Sequence, residues 1–75
     1  MQAYQNLGGT SAVKAYEMDD RYINVHFSDG TAYHYNYVVP GATYVERMKS
    51  LARQGLGLNT FINQFVKDKY AARLN

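Results

Sequence analysis

The chain has 75 residues, no cysteine, 47% hydrophobic residues and a formal net charge of +2. That length makes one small domain, near the size at which a single core barely outweighs the entropy cost of folding. Without cysteine there is no disulfide framework, thiolate metal site or cysteine nucleophile, and with no long apolar run and no basic start before an apolar stretch, a soluble cytoplasmic protein is expected.

Charge is unevenly placed. Residues 1–40 carry Lys14 and Arg21 against Glu17, Asp19, Asp20 and Asp29, whereas residues 41–75 carry Arg47, Lys49, Arg53, Lys67, Lys69 and Arg73 against Glu46 and Asp68. A basic C-terminal half is compatible with a polyanionic partner, although solvated helix faces commonly carry such residues.

In chain order, residues 1–11 are small and polar, with Gly8-Gly9 and Thr10-Ser11, and read as a flexible N-terminal arm; residues 12–75 form the single domain. Ala12 to Met18 can form a strand, with Asp19-Asp20 supplying turn chemistry after it. Arg21 to Tyr37 then alternates apolar and polar residues on both sides of Asp29-Gly30, the pattern of a β-hairpin. A two-residue turn would set Ile23, Val25 and Phe27 against Ala32, His34 and Asn36, a poor match. A three-residue loop, Ser28-Asp29-Gly30 with a left-handed glycine, sets Phe27 opposite Thr31, Val25 opposite Tyr33 and Ile23 opposite Tyr35; pattern and turn then agree. The other face carries Asn24, His26, Ala32, His34 and Asn36.

Pro40 suits the first turn of a helix. Tyr44, Val45, Met48, Leu51 and Ala52 then repeat at helical spacing up to Gln54, with Gly55 as the C-cap. Asn59 can cap a second helix, on which Ile62, Phe65, Val66, Tyr70 and Leu74 make an apolar stripe and Lys67, Asp68 and Arg73 lie off it. The expected class is α+β, a three-stranded antiparallel meander followed by two helices on one sheet face. Its expected core is Ile23, Val25, Phe27, Tyr33, Tyr35, Met48, Ile62 and Phe65.

The tyrosines at 33, 35 and 37 could form a stacking platform, but the preferred register puts Tyr33 and Tyr35 in the core and leaves Tyr37 reachable at the strand end. His26 and His34 lie diagonally on the outer face and lack a convincing third ligand, so they read as solvated histidines and no metal is expected. No activated nucleophile motif or phosphate-cradling glycine loop occurs. An enzyme, a cofactor and a small-molecule substrate are therefore not expected.

The order and spacing of Tyr16, Ile23-x-Val25-x-Phe27, Gly30, Tyr33-x-Tyr35, Val39-Pro40, Tyr44, Gly55 and Asn59-x-x-Ile62 resemble the KTSC domain over residues 11–62. That family is a short module found at the C-terminus of some lysyl-tRNA synthetases and as a stand-alone bacterial protein. Lys14, Leu56-Gly57-Leu58 and the longer tail from Asn63 to Tyr70 depart from its pattern. With the charge split, the resemblance implies a non-enzymatic module with salt-dependent affinity for RNA, tRNA included. Its contacts would be Arg47, Lys49, Arg53, Lys67, Lys69, Arg73 and Tyr37. The alternative is a protein-interaction or homo-oligomerisation module using a sheet edge or the outer face, a phage or regulatory inhibitor among them.

Overall fold

The computed structural model describes residues 1–75. The chain is α+β: strands β1 (Gln2–Ala3), β2 (Val13–Asp19), β3 (Tyr22–Phe27), β4 (Ala32–Asn36) and β5 (Ala72–Arg73) make one antiparallel sheet in sequence order. Helix α1 (Ala42–Gln54) and helix α2 (Leu58–Phe61), which runs into a π turn (Ile62–Val66), lie between β4 and β5 in the chain. Side chains from sheet and helices meet in one core, in which Ile23, Val25, Val45, Met48, Leu58 and Val66 are fully buried and Tyr35 nearly so. No helix is long and apolar enough to cross a membrane.

The central hairpin has the register of the three-residue loop. Ile23 pairs with Tyr35 and Val25 with Tyr33. Phe27 N donates to Thr31 O at 2.8 Å and Gly30 N donates to Phe27 O at 3.1 Å, closing a turn with Gly30 at φ +92°. A β-branched or bulky residue would be strained there, which is why glycine ends the loop. The Asp29 carboxylate accepts from Thr31 N and Thr31 Oγ1, and those bonds hold its pKa below the ordinary value.

Both ends of the chain depart from expectation. Residues 1–11 are not a free arm. Gln2 and Ala3 pair with Tyr16 and Ala15, Tyr4 N donates to Lys14 O at 3.0 Å, and Leu7 N donates to Gly55 O at 2.8 Å. The Tyr4 ring is buried against the core, and Asn6, at φ 53°, accepts from Ser11 N through its side chain. Burial of that ring adds to the pairing and hydrogen bonds that dock the segment, because the alternative leaves the ring in water.

The second helix is shorter than its apolar pattern suggests. The backbone leaves the helical track after the π turn, and Ala72–Arg73 pairs with His34–Tyr33 at the far edge of the sheet. Leu74 N donates to Ala32 O at 2.8 Å, and the Asn75 side chain bridges Ala32 N and Gly30 O. Pairing satisfies backbone groups that an open β4 edge would leave to water. It also buries Ala32, which was expected on the open face. Lys69 and Arg73 therefore do not share a helix face.

Three smaller corrections follow from local hydrogen bonding. Pro40 sits in the loop before α1, after a cis Val39–Pro40 bond, while Asn36 Oδ1 accepts from Val38 N and Val39 N and so organises that loop. Asn59 lies inside α2 and caps nothing; Gly57 precedes the helix, and the buried Leu58 N donates to the Tyr4 hydroxyl at 3.3 Å instead. Phe65 is 47% exposed, since the π turn directs Ile62 and Val66 inward and carries Phe65 out beside Tyr44 and Phe61.

Candidate functional site

The six C-terminal-half cations fall into two groups carried by different elements. On α1, Lys49 is only 8% exposed: its Nζ donates to Asp20 O and to Glu46 Oε2, both at 3.1 Å. Glu46 Oε2 also accepts from the Tyr37 hydroxyl at 2.7 Å. The Tyr37 bond, with help from Lys49, holds the Glu46 carboxyl below its ordinary pKa and raises that of the Tyr37 phenol. Tyr37 is 38% exposed, yet with its hydroxyl committed it belongs, like Lys49, to a strut between the sheet and α1. Arg53 reaches Met18 Sδ at 3.4 Å, and Arg47 is exposed.

The second group lies where the hairpin tip faces the π turn. An open cleft of about 420 Å³ runs between them, floored by Tyr33, Tyr35 and Ile62 and flanked by Phe27, Lys67, Asp68 and Tyr70. Each wall has a local cause. The three-residue loop brings Phe27 beside Tyr33 in an edge-to-face contact at 6.1 Å, and the tail's return to the sheet lays Tyr70 against Tyr33 with ring centroids 4.5 Å apart. Pairing of β5 with β4 sets the Arg73 guanidinium over the Tyr33 ring, 5.9 Å from its centroid. Burial, with Tyr33 and Tyr70 nearby, pushes the Tyr35 phenol well above its ordinary pKa, so it stays neutral beneath the cleft. Tyr70 is 37% exposed and is the open ring of the cluster.

Expectation and structure thus meet only in part. Ile23, Val25, Tyr35, Met48 and Ile62 are buried, whereas Phe27 and Tyr33 are partly buried and line the cleft. Of the candidate contacts, Lys67 and Arg73 come together with aromatic rings, and Lys69 is exposed in the segment that links them. Tyr70, Asn63 and Asp68 were not among the candidate contacts: on a continuous helix Tyr70 belonged to the apolar stripe and Asp68 lay off it, so nothing brought the three together.

The outer sheet face carries a hydrogen-bonded row. Glu17 Oε1 lies 3.3 Å from Asn24 Nδ2 and 3.4 Å from His26 Nε2, Asn24 Oδ1 lies 2.6 Å from His34 Nδ1, and Tyr22 packs on His34 at 5.2 Å. Hydrogen bonds from Asn24 and then His26 hold the Glu17 carboxyl below its ordinary pKa. These side chains satisfy one another, and no group of three His, Cys, Asp or Glu is placed to hold a metal ion.

Comparison with known proteins found no matching family model, curated protein or solved structure.

Proposed function

We propose that this protein is a small, non-enzymatic cytoplasmic binding module of KTSC kind that takes single-stranded RNA, unpaired tRNA segments included, in the cleft between hairpin tip and π turn. One observation carries the reading: the Tyr70 ring packs against Tyr33 at 4.5 Å with the planes tilted by 41°, Arg73 lies over the same Tyr33 ring, and Lys67 lines the same cleft. Exposed aromatic rings accept the face of any base, and stacking contributes about 1 to 3 kcal/mol per base in such sites. Flanking cations contact phosphate without reading sequence. Lys67, Lys69 and Arg73 are the contacts; Lys49 and Tyr37 are committed to Glu46, and Arg47 and Arg53 belong to α1.

Binding of a short uridine oligomer, followed by fluorescence anisotropy across a salt series, tests this. Three phosphate contacts on a single strand predict a log–log salt slope of about −2. No binding at low ionic strength, or binding without a slope, contradicts it.

A protein partner or a second copy of the chain is the alternative reading, and the ring cluster of Tyr44, Phe61 and the half-exposed Phe65 favours it. Sedimentation across a concentration series separates the two readings, since self-association through that cluster predicts a mass that rises with concentration.

A further inference from the structure

We infer that the cleft is selective for guanine and that Asp68 is the residue that reads the base; this rests on the single-strand reading above. Four polar side chains other than hydroxyl groups line the cleft: Asp29, Asn63, Lys67 and Asp68. They are not equivalent. Asp29 Oδ1 already accepts from Thr31 N at 2.9 Å and Thr31 Oγ1 at 2.7 Å, so its carboxylate is engaged in holding the hairpin loop. Lys67 only donates and suits phosphate. Asn63 offers one donor pair and one acceptor and therefore fits the edge of any base.

Asp68 differs from all three. It is exposed, lines the cleft, and takes part in neither the Glu46–Lys49 ion pair nor the Glu17–His26 contact. A carboxylate at neutral pH only accepts, so it can pair solely with N–H groups. Guanine alone presents two adjacent donors, N1–H and the N2 amino group, which can meet the two carboxylate oxygens side by side. Adenine and cytosine place an acceptor nitrogen beside their single amino group, and uracil flanks its one N–H with carbonyl oxygens; each turns a lone pair toward the carboxylate.

Lys67, Asp68 and Tyr70 all line the cleft. Asp68 lies between Lys67 and Tyr70 in the chain, separated from the tyrosine by Lys69. An ammonium, a carboxylate and an aromatic face are therefore available to the phosphate, edge and face of one nucleotide. Stacking on Tyr70 tolerates every base. Discrimination must come from the edge, where Asp68 is the one unengaged carboxylate.

The test uses short uridine oligomers carrying a single central G, A or C, with the all-uridine oligomer as reference, at low ionic strength. The guanine oligomer is expected to bind roughly tenfold more tightly than the adenine or cytosine oligomer, in keeping with a bidentate base contact. In Asp68→Asn that preference falls to within about twofold, while binding of the all-uridine oligomer is kept or strengthened because a like charge has left the phosphate path. Equal affinities for G, A and C in the unaltered protein overturn the assignment, as does a guanine preference that survives in Asp68→Asn. Failure of every oligomer to bind the unaltered protein overturns the single-strand reading itself, and the base preference with it.

Discussion

Tyr4→Ala should cost the protein about 3 to 5 kcal/mol of stability, the range for removing a buried aromatic side chain. A chain of this size has roughly 4 to 11 kcal/mol in total, so the variant should lose a large share of that margin and unfold at a much lower urea concentration. The effect has two parts. The ring is part of the buried core, and its hydroxyl accepts the Leu58 amide at the start of α2. Tyr4→Phe separates them: it keeps the ring and leaves a buried N–H without its partner, a loss of roughly 1 to 2 kcal/mol. Urea unfolding measures both. If Tyr4→Ala unfolds within about 1 kcal/mol of the parent, residues 1–9 do not anchor the domain in the way the buried ring and the Leu7–Gly55 bond indicate.

That prediction concerns a residue the sequence does not advertise. Tyr4 is a lone aromatic in a polar segment without periodicity, and the features that bury it, the Gly55 and Gly57 turns and the start of α2, lie some fifty residues away. Gly55 shows the same dependence on distant chain: a Cβ there would stand 2.5 Å from Gln5 Cβ, in addition to its φ of +73°. From sequence, that glycine reads only as a C-cap. The hairpin was legible because its information is local; turn residues and alternation agree on one register within seventeen residues. The tail was not. Ala71, Ala72, Arg73 and Leu74 are good helix formers and extend the preceding apolar spacing, yet edge pairing with β4 outweighs a propensity worth a few tenths of a kcal/mol per residue.

The same tail decides how much of the site could be foreseen. Lys67, Lys69 and Arg73 were named for their charge, but a continuous helix would have separated Tyr70 from the hairpin. Only the return of the chain along β4 lays Tyr70 on Tyr33 and Arg73 over it. Tyr33 and Phe27 are correctly placed on the inner face by the register, while their incomplete burial depends on the helix ending early.

Lys67→Gln combined with Arg73→Gln should weaken binding of a short RNA by roughly ten- to a hundredfold at low ionic strength, with a salt slope falling from about −2 to about −0.7. Two of three phosphate contacts are lost, and each retained contact contributes its own increment to the slope. Glutamine is shorter than either side chain but leaves the backbone unchanged, so β5 pairing and the Tyr33–Tyr70 contact persist. The companion variant is Arg47→Gln with Arg53→Gln, which removes the same charge from α1. Equal losses in the two double variants would assign binding to net charge rather than to the cleft, and the aromatic contacts would then have no part in it.

The most direct measurement is an amide chemical-shift map of the protein titrated with a short uridine oligomer carrying one guanine. The account predicts shifts concentrated at Phe27, Tyr33, Asn63 and Lys67 through Arg73, with α1 and the outer row of Glu17, Asn24, His26 and His34 unmoved. Shifts centred on Arg47 and Arg53 or on that outer row, or none at low ionic strength, would contradict it.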